Sequence, residues 1–91
     1  MDIKCVSLTI KGRVQGVGFR YQTQNAARKF GIKGIVRNMP DGSVYAEACG
    51  KDRNIELFLD WFRNGPMLAH VTNINVQEIT CPVPDDFDIS F

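Results

Sequence analysis

Histidine is almost absent from this chain. His70 is the only one, and Cys5, Cys49 and Cys81 are widely separated, with no Cys-x-x-Cys pair among them. A zinc motif needs His and Cys ligands at close, regular spacing. The sequence therefore predicts no metal site. An excess of either charge is missing too: 11 basic and 10 acidic residues leave a formal net charge of +1. So balanced a chain has no long-range field to capture a phosphodiester backbone, and no nucleic-acid partner is expected. No apolar run approaches the roughly 18 residues that cross a bilayer. Met1-Asp2-Ile3-Lys4 opens directly into strand-like sequence without a signal peptide. A cytoplasmic protein with no membrane partner is the expectation. Neither repeats nor low-complexity linkers interrupt the chain. Its 91 residues suit a single domain, 1–91, near the small end of what an apolar core alone can stabilise.

What stands out is glycine gathered in one place. Lys11-Gly12-Arg13-Val14-Gln15-Gly16-Val17-Gly18-Phe19-Arg20 carries three glycines and two arginines between an alternating apolar run and a helix-like run. A strand-to-helix turn of this kind exposes backbone N–H groups and ends on a cation. It suits an anion, most simply a phosphate.

Ahead of it, Val6, Leu8 and Ile10 alternate with Cys5, Ser7 and Thr9, predicting a first strand over Ile3 to Lys11 with one buried and one open face. From Arg20 or Tyr21 to Phe30 the spacing of Thr23, Ala26, Ala27 and Phe30 predicts a helix, ended by Gly31. Lys33–Asn38 and Ser43–Gly50 read as a hairpin about the turn Met39-Pro40-Asp41-Gly42. A second helix is expected from Asp52, read as its N-cap, to Arg63, with Ile55, Phe58, Leu59 and Phe62 on one face and Asn64-Gly65-Pro66 as its stop. Val71–Ile79 alternates as a fourth strand, and the tail Phe87–Phe91 can add a short edge strand.

The order βαββαβ predicts an α+β fold of the ferredoxin-like, split βαβ kind: a four-stranded antiparallel sheet with two helices on one face. In that topology the third strand lies between the first two, which run parallel because a right-handed crossover joins them. The glycine loop and Asn38, at the end of the second strand, then share one rim, roughly 10 Å apart. Arg20 and Asn38 can both reach a ligand held between them.

Gly16 and Gly18 permit positive φ and close backbone approach, so several N–H groups can face one phosphate where the helix dipole assists. Arg20 adds a planar, permanent, bidentate charge. The same spacing also fits a plain tight connection, with Arg20 solvated or paired with a carboxylate. The loop is not a Walker A sequence and lacks the Gly-x-Gly-x-x-Gly spacing of dinucleotide folds, so no nucleotide cofactor is expected. Ser43–Gly50 lacks the aromatic ladder of an RNA-recognition motif, which shares this topology.

Gly12 to Arg20, followed by Gly34-Ile35-Val36-Arg37-Asn38-Met39-Pro40-Asp41-Gly42-Ser43-Val44, closely resembles the two signature segments of the acylphosphatases. The resemblance covers essentially the whole chain in length and element order. Ile35 departs from the family, which often has an aromatic there. The resemblance implies a monomeric enzyme that hydrolyses a carboxyl-phosphate anhydride to a carboxylate and inorganic phosphate, with no metal and no cofactor. It implies that Arg20 and the backbone amides of Gln15, Gly16, Val17, Gly18, Phe19 and Arg20 hold the phosphoryl group, while Asn38 orients the attacking water. A neutral amide cannot serve as a base. The proton of water is therefore expected to pass to a substrate phosphate oxygen. The competing reading is a non-catalytic module of the same fold that binds phosphate or carbamoyl phosphate. A third is a structural ferredoxin-like domain that binds neither.

The remaining candidates are blander. His70, expected in the connection before the fourth strand, reads as a surface or satisfied histidine, Trp61 as core, and Asp85-Asp86 as a solvated loop charge. Cys5 and Cys49 are expected to be neighbours on the open face of adjacent antiparallel strands. A disulfide between them is geometrically feasible, whereas a reducing cytosol favours two free thiols.

Overall fold

Alternation decides which face of the first strand is buried. In β1 (Lys4–Arg13), Val6, Leu8 and Ile10 are at most 2% exposed and form the floor of the core. The structure is a computed structural model that describes residues 2–65 and 69–90. After β1 come α1 (Phe19–Lys29), the hairpin β2 (Lys33–Asn38) and β3 (Val44–Gly50), α2 (Asp52–Asn64), β4 (His70–Ile79) and β5 (Phe87–Ile89). The sheet order is β4-β1-β3-β2-β5. Thus β3 lies between β1 and β2, and the four longer strands pair antiparallel. The fold is the ferredoxin-like α+β sandwich that the sequence predicts.

α2 buries the stripe expected of it, and α1 buries its own except for Phe30, which is the C-cap just past the helix and packs only half-buried against the core. Thr23, Ala26 and Ala27 of α1 and Ile55, Phe58, Leu59 and Phe62 of α2 are buried. Phe58 and Phe62 meet edge to face at 4.7 Å, and Phe19, the first residue of α1, lies 5.9 Å from Phe62. Trp61 packs on this aromatic cluster, so its core reading holds. Truncating an aromatic at such a position costs about 3–5 kcal/mol.

The edges of the elements correct several expectations. β1 runs on to Arg13, two residues past Lys11, because β4 continues to pair with it across a bulge at Lys11 and Gly12. His70 is accordingly the first residue of β4, opposite Arg13, and does not lie in the connection. α1 starts at Phe19, ahead of Arg20. Lys51 is the N-cap of α2, and Asp52 instead occupies the first turn, where its charge faces the helix dipole and pairs with Lys4 at 3.4 Å. Ser43 precedes β3, held in the turn by Asp41. Gly65 ends α2 with positive φ, while Pro66 and Phe91 lie outside the described residues.

The tail does form the edge strand, and it runs parallel to β2, which makes the sheet mixed. Gln24 of α1 donates to the Phe87 carbonyl at 2.9 Å, and Phe87 is fully buried. Asp86 is more than a solvated charge. Its carboxylate accepts from Arg28 at 3.0 Å and from the Phe87 N–H at 2.8 Å, and its carbonyl accepts from the Gly34 N–H. The two bonds to the carboxylate hold it below its ordinary value of 3.8, with the Arg28 hydrogen bond the largest cause. Asp85 also contributes, its carbonyl accepting from Lys33 Nζ at 2.7 Å.

Cys5 and Cys49 sit on the face away from the helices, directly opposite one another. That face was expected to be open, yet both are buried. The chain between β4 and β5 crosses this end of the sheet, bringing Cys81 Sγ to 3.7 Å from Cys49 Sγ. Cys5 and Cys49 are joined by a disulfide, and Cys81 is a free thiol.

Candidate active site

The turn from β1 into α1 is set by two glycines. Gly16 and Gly18 adopt φ of 74° and 73°, in the left-handed region that costs other residues. A Cβ on Gly16 would meet no atom within 4 Å, so the demand there is conformational and not one of space. Gly18 is also the N-cap of α1, and no side chain caps that end. The first N–H groups of the helix are left to face whatever anion the turn receives, with the dipole favouring it.

Opposite the turn stands Asn38, the last residue of β2, paired with Val44. A cavity of about 230 Å³ separates the two, lined by Gly16, Gly18, Phe19, Arg20 and Asn38 together with Val14, Tyr21 and Ile89. Arg20, in the first turn of α1, is half-buried in its wall, while Asn38 is exposed. The strand order explains the meeting: β3 holds β1 and β2 two spacings apart, with their C-terminal ends on the same rim.

Of the loop residues expected to cradle a phosphate, Gly16, Gly18, Phe19 and Arg20 reach this cavity, while Gln15 and Val17 are not among the residues lining it. Val17 packs against the core. Gln15 turns its side chain toward the hairpin. Its Nε2 donates to the carbonyls of Met39 and Ser43, each at 2.8 Å. Those two carbonyls also close the hairpin turn, accepting from the N–H groups of Gly42 and Met39. One amide therefore fastens the glycine loop to the turn that follows Asn38. On the other side of the turn, Asp41 Oδ1 accepts from the Ser43 N–H at 2.9 Å and the Ser43 hydroxyl at 2.6 Å. The hydroxyl bond is the largest of the causes that hold the Asp41 carboxyl below 3.8.

Val14, Tyr21 and Ile89 escaped the sequence reading. Ile89 arrives because β5 lies beside β2, and the only signal for it was the apolar alternation of the tail. Tyr21 stands at the mouth with 68% of its surface exposed, an unusual position for so large a ring.

An open rim bearing helix amides, a guanidinium and a neutral amide can hold a phosphoryl group and place a small nucleophile beside it. It offers no histidine or carboxylate among the described lining residues to take a proton.

The acylphosphatase family model matches residues 6–89. The acylphosphatase of Thermotoga petrophila is 43% identical, with 98% of this chain and 99% of that protein covered. Among solved structures, acylphosphatase from Bacillus subtilis superposes with a TM-score of 0.93 at 35% identity, covering 97% of this chain and 99% of that one. Full-length HypF, solved in a phosphate- and nucleotide-bound form, contains a similar segment: the TM-score is 0.89 at 34% identity, covering 99% of this chain but only 12% of HypF. With both signature segments in place on the matching fold, the chain belongs to the acylphosphatase family, hydrolases of acyl phosphates.

Proposed function

We propose that acyl phosphate hydrolysis takes place in the cavity between the glycine loop and Asn38. The phosphoryl oxygens are held by Arg20 and by backbone N–H groups of the Gln15–Arg20 loop, and Asn38 orients the attacking water. The convergence of Gly16, Gly18, Arg20 and Asn38 on one cavity is the observation that supports this reading.

The division of labour follows from the chemistry. The leaving carboxylate is a weak base, so departure needs no strong general acid. Placement of water and neutralisation of charge on the phosphoryl oxygens can carry most of the rate. Arg20 supplies the charge in a planar fork matched to two oxygens. Asn38 can accept a hydrogen bond from water through Oδ1 and donate through Nδ2, which fixes the line of attack without moving a proton. That proton passes to a phosphoryl oxygen, water forms the new P–O bond, and the carboxylate leaves with the electrons of the old one. Inorganic phosphate, the product, occupies the same cradle and inhibits. No metal and no cofactor takes part in this scheme.

We further place the working protein in the cytoplasm as a monomer, without nucleic-acid or membrane partners. The net charge of +1 is consistent with this, and among the described residues no helix is long and apolar enough to cross a membrane. A second reading is a module of the same fold that binds phosphate or carbamoyl phosphate without turning it over; what motivates it is that a similar segment makes up 12% of the much larger HypF, solved in a phosphate- and nucleotide-bound form.

Two assays separate the readings. Inorganic phosphate at about 100 times its Kd should stabilise the native state by about 2.7 kcal/mol, read as a rise in Tm. No rise at saturating concentrations would leave a structural domain. Release of phosphate from an aryl acyl phosphate then identifies the enzyme. Stabilisation by phosphate without turnover would identify the binding module.

A further inference from the structure

At the end of β1 remote from the glycine loop, three sulfurs meet. Cys5 lies near the start of β1, Cys49 near the end of β3 directly opposite, and Cys81 in the connection after β4. Cys81 Sγ is 3.7 Å from Cys49 Sγ, and all three Sγ atoms lie within 4.8 Å of one another. Cys49 and Cys5 are 1% and 7% exposed, and Cys81 is partly exposed. In sequence, Cys49 stands 44 residues from Cys5 and 32 from Cys81, which is why no ligand spacing announced the cluster.

We propose that, when the Cys5–Cys49 disulfide is reduced, Cys5, Cys49 and Cys81 form a three-thiolate site for one soft d10 cation, with Cu(I) preferred. Metal–sulfur bonds of about 2.3 Å place two ligands of one ion about 3.8 Å apart in a tetrahedral site and about 4.0 Å apart in a planar trigonal one. The 3.7 Å between Cys49 and Cys81 already lies near that range. Cys5 and Cys49 are held closer only by their mutual bond, and reduction lets them separate. Cross-strand pairing of β1 with β3 keeps the two side chains opposed, so two of the three ligands are held in place by the sheet.

The donor set selects the ion. Thiolates prefer Cu(I) and zinc among common metals. Among the described residues the cluster contains no histidine or carboxylate to act as fourth ligand. Three sulfurs alone complete a trigonal Cu(I) site, whereas tetrahedral zinc would have to recruit a water where two of the three thiols are buried. Cys81 provides the way in.

Reduction requires an external dithiol. It gives two electrons and two protons to the Cys5–Cys49 bond and becomes a disulfide itself. Cu(I) then displaces the thiol protons, up to three in number, so its affinity rises with pH. The disulfide form cannot bind in this way, since two of its sulfurs are spent on each other. Metal loading is thereby tied to reducing conditions.

The test uses the whole chain, reduced with a phosphine and kept free of oxygen. It is titrated with Cu(I) against a coloured Cu(I) chelator. One equivalent should leave the chelator, a thiolate-to-copper charge-transfer band should grow to that same endpoint, and the loaded protein should resist alkylation at all three cysteines. Cys81→Ser, altered in a partly exposed connection, should keep its acyl phosphate turnover. It should lose Cu(I) affinity by at least the ~100-fold that even outer-shell changes reach. Cys49→Ser should lose as much, and if that buried change prevents folding, Cys81→Ser decides alone. Absence of stoichiometric binding to the reduced chain, or undiminished binding by Cys81→Ser, would overturn the site. Zinc binding as tightly as Cu(I) would overturn the trigonal assignment.

Discussion

The two ends of β1 carry two very different assemblies. Beyond its C-terminal end, Gly16, Gly18, Phe19 and Arg20 follow one another within five residues, and only Asn38 and Ile89 come to the cavity from distant parts of the chain. Near its N-terminal end every sulfur comes from a different segment: the sheet sets Cys5 against Cys49, where a disulfide joins them, and the connection that crosses the sheet brings Cys81. The first is exposed and built largely of backbone; the second is mostly buried and built of side chains. A contiguous turn imposes its geometry locally, through φ angles and a helix end, so it leaves a mark in the sequence. A cluster gathered from three segments leaves only part of one: strand pairing foretells that Cys5 and Cys49 are neighbours, whereas Cys81 taken alone looks like an ordinary small apolar residue.

The contrast can be broken most forcefully at Arg20. Arg20→Ala should lower kcat/KM on an aryl acyl phosphate by about 10³-fold or more, the scale on which a catalytic arginine acts in phosphoryl transfer. It should also abolish the Tm rise caused by phosphate. A variant that keeps that rise would place phosphate binding elsewhere. Cys81→Ser, changed at the other end, should alter neither quantity.

Gln15 should show a smaller, mixed effect. Gln15→Ala removes two hydrogen bonds between the loop and the hairpin, each worth roughly 0.5–1.5 kcal/mol. The loop and Asn38 then lose their common anchor, and turnover should fall by about tenfold alongside a lower Tm, as expected when a positioned group drifts by a fraction of an ångström. Full activity with a lower Tm would confine Gln15 to stability.

The smallest effect is one of pH, and it sharpens the comparison at two carboxylates that belong to neither assembly, Asp41 in the hairpin turn and Asp86 ahead of β5. Asp41 and Asp86 both have carboxyl pKa values below 3.8, held there chiefly by Ser43 and Arg28 respectively. A depressed carboxyl stabilises the fold above its unfolded value and loses that contribution as pH falls through the folded one. Tm should therefore drop progressively as pH falls below 3.8, and Asp41→Asn with Asp86→Asn together should flatten the decline. Because both groups are exposed, salt should weaken the Asp86 share.

The parts of this molecule visible in its sequence are those with short-range causes. Period-2 runs and helical stripes locate every element to within two residues at each described end, and most of these stripes answer to burial on one face; β4, whose residues are all exposed or half-buried, is the exception. Strand order alone then brings Asn38 to the rim of the loop. Helix capping was misread at Asp52 because an acidic residue serves the first turn as well as the N-cap, and only backbone dihedrals distinguish them. Gln15, Ile89 and Cys81 owe their roles to the paths of the hairpin turn, the tail and the β4–β5 connection. Those paths are set by contacts 24 to 32 residues apart for Gln15 and Cys81, and no local pattern encodes them.

The central claim is that the loop holds phosphate while Asn38 holds only water, and it is tested most directly by measuring kcat and the Kd of inorganic phosphate on Asn38→Ala. The prediction is a kcat lower by about 10²-fold, the scale of losing one well-placed hydrogen-bonding group, with the Kd of phosphate changed by less than about twofold. Unchanged turnover, or a loss of phosphate affinity that matches the loss of rate, would contradict it.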